Sequence, residues 1–272
     1  MHRDEIVDDV AKYNKERWEA LAQARVPYSR PTLDLSVESA RKMVDPYDLI
    51  RDYEGKDVLC LAGGGGQQSA AFGLLGSNVT VLDLAETQLE RDQEAAAHYG
   101  LTIRTEQGDM RDLSRFSARS FDVVWHAHSI TFIPDVQTVF AEVARVLRPG
   151  GIYHMSCNNP YSAGVDERDW NGEAYPLKDR YVDGELVFAD DYWEIGYDDG
   201  TSARVQGPRE FRHTMSTLLN GMANLGFVLL RYWEDTGDDL NAEPGTWEHL
   251  KSIAPPFIGF WACFRPDVFL QT

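Results

Sequence analysis

Residues 57–75 read DVLCLAGGGGQQSAAFGLL. A short apolar run, Asp57–Ala62, ends in four glycines and passes into a helical pattern over about 67–75. Glycine lets the chain turn sharply and lets a ligand approach the backbone without a Cβ in the way. Four in succession exceed what a tight turn needs. In open α/β sheets a ligand sits outside the carboxyl ends of the strands, where such a loop lies. The same rhythm continues downstream. Strand patterns fall at 78–82 (NVTVL), 102–106, 121–125 (FDVVW) and 152–157. Helical patterns fall at 86–99, ended by Gly100, and at 136–147, stopped by Pro149-Gly150-Gly151. Strands alternating with helices predict a mostly parallel sheet with helices on both faces, joined by right-handed crossovers.

Outward from this core the texture changes on both sides. Residues 1–25 have helical spacing through Ile6, Val10, Tyr13, Arg17 and Leu21, and Pro27 ends the pattern. A second helix is expected over 36–53, with Ser36 as N-cap and Pro46 as an interruption. Residues 158–206 are rich in Gly, Tyr, Trp and Asp, with candidate strands at 185–189 and 192–196. This stretch holds 12 acidic and 4 basic residues, and its many aromatics mark an inserted β-rich segment and not a linker. A helix is expected over 211–225 with Gly226 as its C-cap. Residues 227–234 and 257–264 read as a final pair of strands.

The 272-residue chain has 26 Lys plus Arg against 44 Asp plus Glu, a formal charge of −18. A phosphate backbone needs basic residues to replace its counterions, and an anionic membrane attracts them, so neither partner is expected. Cys60, Cys157 and Cys263 have neither disulfide-framework nor metal-site spacing. No Asp/Glu/His cluster has recognisable ligand spacing, so no metal is expected. The opening MHRDEIVDDV lacks the apolar core of a signal peptide, and no run of about 18 apolar residues occurs, which points to a cytoplasmic protein.

The glycine loop admits two ligands. A nicotinamide dinucleotide fingerprint, G-x-G-x-x-G/A, needs a third small residue, but the position is Gln68 counted from Gly63 and Ser69 counted from Gly64. S-adenosylmethionine carries no phosphate and escapes that requirement. Asp83, at the end of the second strand, can accept both ribose hydroxyls of either ligand. Gly108-Asp109-Met110 separates them better: Asp109 can hold an exocyclic adenine amine while Met110 covers the ring.

The order of these motifs, with GDMRDL at 108–113, SFDVVW at 120–125 and EVARVLRPGG at 142–151, resembles the class I S-adenosylmethionine-dependent methyltransferases, and most of all their type 11, UbiE-like small-molecule group. The resemblance covers about 56–157 closely and 207–272 in outline. It departs at Cys60, where an acidic residue is common, and at Ala62, where the first glycine usually stands. It implies a Rossmann-like α/β fold, a seven-stranded mostly parallel sheet with the last strand antiparallel. It implies one domain over 1–272: a helical cap (1–55), a cofactor core (56–157), an insertion over the acceptor (158–206) and a C-terminal part of the core (207–272). Ala62, Gly63, Gly64 and Gln67 then border the methionine, Asp83 and Leu84 the ribose, and Asp109 and Met110 the adenine. Gln88 joins the cofactor set. Trp18, Tyr28 and Arg30 belong to a segment folded over the cofactor, where aromatic faces can meet a sulfonium. An aromatic stripe packed on the sheet is the other reading of them.

Methyl transfer from a sulfonium is an in-line displacement needing alignment and exclusion of water. An oxygen or nitrogen acceptor must also lose a proton. His126 and His128, after the fourth strand and near the expected sulfonium, are the candidate bases. Each also suits a plain hydrogen bond to the loop backbone. His154 reads as core-packed or edge-exposed, His213 as a cap-region residue, and His2, His98 and His249 as surface residues. Tyr161, Trp170, Tyr175, Tyr181, Tyr192 and Trp193 are candidates for an acceptor pocket or for a satellite core. Two rival functions remain open at this level: an NAD-dependent oxidoreductase, and an S-adenosylmethionine-binding protein without catalysis.

Overall fold

The computed structural model describes residues 8–188, 190–197, 200–239 and 241–267. In chain order the elements are α1 (Asp9–Gln23), α2 (Val37–Val44), β1 (Asp57–Leu61), α3 (Gln68–Leu74), β2 (Asn78–Asp83), α4 (Glu86–Tyr99), β3 (Ile103–Gln107), β4 (Phe121–His126), α5 (Val136–Val146) and β5 (Leu147–Asn158). They continue as β6 (Gly184–Leu186), β7 (Tyr192–Gly196), β8 (Ser202–Gln206), β9 (Glu210–Arg212), α6 (Met215–Asn224), β10 (Phe227–Glu234), α7 (Trp247–Ile253) and β11 (Phe257–Phe264). Ile6 and His2, and the ends of the expected single domain at 1–7 and 268–272, lie outside the described residues, as does Ala189 at the end of an expected strand.

Seven strands form one sheet in the order β10-β11-β5-β4-β1-β2-β3. β1 to β5 run parallel, and β11 is antiparallel to both β5 and β10. The expected Rossmann-like sheet is therefore present, with β4 at its centre and the switch in strand order between β1 and β4. Successive side chains along its strands point to opposite faces, and both faces are covered. Leu59, Leu61 and Val124 meet α5 and α6 through Val139, Phe140, Val143, Leu218 and Met222. Val58, Cys60, Val79 and Val81 meet α2, α3 and α4 through Val44, Phe72, Leu89 and Ala96. Both clusters are almost fully withdrawn from water, which is the main drive for the assembly.

Polar residues fix the ends of these elements. Asp8 caps α1 at Ala11 N (2.8 Å), Ser36 and Ser39 form a capping box on α2, and Thr214 caps α6. Gly100 ends α4 in the left-handed region (φ 65°).

The structure corrects three expectations. The helix expected over 36–53 stops at Val44, because the Asp45 carboxylate turns the chain: it accepts from Leu49 N (2.7 Å), Ile50 N (2.6 Å) and the Tyr53 hydroxyl (2.7 Å). The helix expected from 211 begins at Met215, because Phe211 and Arg212 belong to β9 and pair with β6. Pro149-Gly150-Gly151 lies inside β5, at the irregularity where β4 skips from the Leu147 to the Ile152 register, and α5 has already ended at Val146.

Within the 158–206 segment β7 pairs with β8. Its core is shared with α1: Ile195 packs with Leu21 and Val26, beside Trp18, Trp193, Tyr197 and Val205. Two more polar ties fasten this junction. The Tyr197 hydroxyl donates to Ala24 O (2.9 Å), and Arg17 Nη1 donates to Gln206 Oε1 (2.7 Å).

Candidate active site

A cavity of about 1570 Å³ lies at the carboxyl ends of the parallel strands, walled by the glycine loop, α1 and the 158–206 segment. Pockets for one drug-sized ligand run roughly 300–1,000 Å³, so this cavity has room for two small molecules side by side.

The glycine loop is held from behind by two carboxylates. Asp83 Oδ2 accepts from Gly64 N (2.9 Å) and its Oδ1 from Ala85 N (2.9 Å). Asp92, on the buried face of α4, accepts from Gly65 N (3.2 Å), from Gly66 N (3.1 Å) and from the Ser69 hydroxyl. Burial lifts the Asp83 carboxyl to about 6 and the Asp92 carboxyl to about 7, against the pull of these hydrogen bonds. Gly66 has φ 77°, and a Cβ there would lie 2.5 Å from Arg91 O. A Cβ on Gly64 would lie 2.6 Å from the Gln88 Cβ. These two glycines are required by the close approach of the loop to α4.

The sequence-predicted cofactor residues divide by position. Ala62, Gly64, Gln67, Asp83, Leu84, Gln88, Asp109, Met110, Trp18 and Tyr28 all line the cavity, while Gly63 and His126 are absent from its wall. Gln67 Nε2 donates to Tyr28 O (2.9 Å) and Arg30 O (2.6 Å), which ties the N-terminal segment to the loop. Gln88 Nε2 donates to the Ser29 hydroxyl (2.9 Å), and its buried Oε1 has no protein partner. Arg111 was not singled out by the sequence. It grips Asp109 (2.6 Å) and reaches Asp8 at the start of α1 (2.7 Å), so the wall residue Asp109 is pre-oriented by a cation that also fastens the cap.

The two candidate bases are not equivalent. His126 is fully buried in the core, its Nδ1 3.0 Å from the Tyr153 hydroxyl, and burial drives its imidazolium down to about 3. The expectation that His126 faces the reacting group is corrected: alternation along β4 sends it into the α5 side of the sheet, beside Tyr153. His128, past the strand end, lines the cavity. Its Nε2 lies 3.0 Å from Asn158 Oδ1, and burial lowers it to about 4, so it is neutral. Asn158 Nδ2 in turn donates to Glu210 Oε2 (2.9 Å). Burial raises the Glu210 carboxyl to about 7. Glu210 and Asn158 were invisible in the sequence: a lone acid opening a three-residue strand carries no spacing signal.

The other aromatics and histidines sort as follows. Tyr192 and Trp193 line the cavity. Trp170 and Tyr175 instead pack on His249 of α7, at 4.8 and 5.5 Å between ring centroids, so His249, expected at the surface, is half-buried. Tyr161 stacks on Tyr181 at 4.6 Å, away from the cavity wall for Tyr181 and outward for Tyr161 (60% exposed). His154 is sandwiched in the core between Trp125 and Trp261. His213 sits just ahead of α6 and donates to Ile130 O (3.2 Å). Among the described residues no three His, Cys, Asp or Glu side chains converge on a metal position, and no helix is long and apolar enough to cross a membrane.

The loop chemistry separates the two candidate ligands. The amides of Gly64, Gly65 and Gly66 already donate to Asp83 and Asp92, so a pyrophosphate would find carboxylates where it needs N–H donors. A nucleoside without phosphate fits: a carboxylate at the end of β2 for a diol, and Asp109 with Met110 for a purine.

Comparisons with known proteins agree. Residues 59–155 match the methyltransferase domain family. The chain is 35% identical over 193 residues to the Bacillus subtilis protein named "uncharacterized methyltransferase YbaJ", covering 71% of this chain and 73% of that one. It is 33% identical over 109 residues to a ubiquinone biosynthesis O-methyltransferase of Haemophilus ducreyi, covering 39% of this chain and 46% of that protein. Among solved structures, S-adenosylmethionine-dependent methyltransferases from Mesorhizobium loti (TM-score 0.57, 21% identity, 85% of this chain and 100% of that one) and Clostridium acetobutylicum (TM-score 0.59, 15% identity, 93% and 99%) share the fold.

Proposed function

Since the chain belongs to the class I S-adenosylmethionine-dependent methyltransferases, we propose that it methylates a small molecule bound in the cavity between the glycine loop and the 158–206 segment. The observation that supports this reading is the pair of carboxylates behind the glycine loop, which occupy the Gly64, Gly65 and Gly66 amides that a phosphate would use, with Asp83 on the cavity wall. When bound, S-adenosylmethionine supplies an electrophilic methyl on a good neutral leaving group. The protein's part is to align and to exclude water.

In this reading Asp83 accepts the ribose hydroxyls, and Asp109, steadied by Arg111, takes the adenine amine under Met110. Gln88 Oε1 offers a buried acceptor with no protein partner. Trp18 and Tyr28 close the cavity from the cap side. The 158–206 segment is a wall of the acceptor site and not a separate domain, because its own apolar core is shared with α1. A cytoplasmic setting remains our reading of the sequence. His128 is the histidine placed to touch an acceptor; His126 supports the strand end through Tyr153.

Titration calorimetry with S-adenosylmethionine, S-adenosylhomocysteine and NAD tests the assignment. Binding of the first two with NAD far weaker is expected. Tight NAD binding without adenosylmethionine binding would return the chain to the oxidoreductase reading.

A further inference from the structure

Glu210 opens β9 and lines the cavity with His128, Asn158 and an aromatic cluster. In that cluster Trp18 meets Phe132 at 5.1 Å, Trp193 at 5.9 Å and Tyr28 at 6.2 Å, all edge to face. Asn158 occupies one oxygen of the carboxylate, Oε2 (2.9 Å), and no donor among the described residues meets the other, Oε1. Among the described residues no cation pairs with it. The three arginines of the wall are each engaged by acids of their own: Arg111 by Asp109 and Asp8, Arg168 by Asp166, Arg204 by Asp190. The wall contains no lysine, and it adds Asp83, Glu167 and Glu194 to the acidic side. An anionic acceptor would meet repulsion and no basic partner. A cation would gain a charged hydrogen bond at Glu210 and the electron-rich faces of nearby rings.

We propose that the methyl acceptor is a protonated amine on a small aromatic or apolar frame, and that Glu210 binds its ammonium group and removes its proton. The inference rests on the methyltransferase reading and names its substrate class. One N–H proton of the bound ammonium passes to the Glu210 carboxylate, which becomes the acid. The freed nitrogen lone pair forms the N–C bond to the methyl while the C–S bond breaks, its electron pair staying on sulfur. The methylated amine leaves as an ammonium ion, and Glu210 returns its proton to water. Burial tunes Glu210 to this work by holding its carboxyl near 7, against the opposing hydrogen bond from Asn158. The neutral His128 steadies the far side of the same Asn158.

A matched set of probes tests this: benzylamine, benzyl alcohol and benzoate, titrated into the protein saturated with S-adenosylhomocysteine. Benzylamine is expected to bind at least tenfold more tightly than either of the others, and Glu210→Gln to abolish the preference. With S-adenosylmethionine present, benzylamine-dependent formation of S-adenosylhomocysteine should fall about a hundredfold or more in that variant. Equal or tighter binding of benzyl alcohol or benzoate to the wild type, failure of benzylamine to bind, or a preference retained by Glu210→Gln overturns the proposal. Cofactor affinity is measured separately in both proteins. Its absence from the wild type would defeat the methyltransferase reading itself, whereas its presence with the wrong probe order defeats only the amine. Should Glu210→Gln alone lose the cofactor through misfolding, the wild-type probe order decides, and Glu210→Asp replaces it in the turnover assay.

Discussion

Asp83 and Asp92 are both carboxylates under the same loop, yet removing them has different consequences. Asp83 has accepting capacity left on the cavity side, so Asp83→Ala should weaken S-adenosylmethionine binding about ten- to hundredfold, the loss of a charged hydrogen bond of roughly 1.5–3 kcal/mol. An unchanged dissociation constant by calorimetry would reduce Asp83 to a turn residue. Asp92 faces no ligand, and its signature is in stability. Its folded carboxyl sits near 7 against an ordinary 3.8, so between those values the folded state holds more protons than the unfolded state. Its contribution is therefore full below about pH 4 and is lost as pH rises toward 7. In Asp92→Asn that slope disappears, and the melting-temperature gap between wild type and variant should narrow as pH rises from 4.5 to 7.5. A gap independent of pH would mean that the three hydrogen bonds keep Asp92 ionised throughout. Asp83 was legible in the sequence because its position at a strand end is itself the signal. Asp92 was hidden because an acid on a helix reads as solvated; its partners lie 23 to 27 residues away, in the loop and the first turn of α3.

α4 has no capping side chain of its own at Ala85. The cap comes from α1 instead: Glu19 Oε1 accepts from Glu86 N (2.6 Å) and Oε2 from Thr87 N (3.1 Å). An acid there also suits the positive end of the helix dipole. Glu19→Ala should cost about 0.5–2 kcal/mol, as for a lost N-cap, and hydrogen exchange should show the loss in the first turn of α4 and along α1 together. Protection lost in one of these alone would show that the tie is incidental. At this scale the central strands were readable because each is a short apolar run bounded by turn residues. β10 and β11 fell at their expected limits for the same reason. The elements that escaped, β8, β9 and α7, are short and polar: β9 pairs with β6 across more than 20 residues, while β8 is a local hairpin partner of β7 without an apolar run to mark it. The 36–53 pattern misled because helical spacing continues past the point where Asp45 supplies a better set of hydrogen bonds.

Across the whole molecule the carboxyl ends of the sheet carry the proposed cofactor residues, while the proposed acceptor side is assembled from α1, the 158–206 segment and β9. The charge of −18 is not spread without pattern: acids outnumber the arginines in the cavity wall, and every wall arginine is already committed. The cap over this site is fastened at its start by Asp8 to Arg111, midway by Asn14 to Phe132 O (2.8 Å) and Arg209 O (3.1 Å), and further on by Arg17 to Gln206 and Glu19 to α4. These ties have a consequence in time. If both product molecules leave past α1, several polar bonds have to part together before it lifts, and departure is then slower than the displacement it follows. Rapid-mixing experiments should record a burst of about one equivalent of methylated product per enzyme before the steady rate sets in. Arg111→Gln, which frees the start of the helix, should shrink that burst by quickening the later phase. A linear time course from the first turnover would place the slow step in the displacement itself.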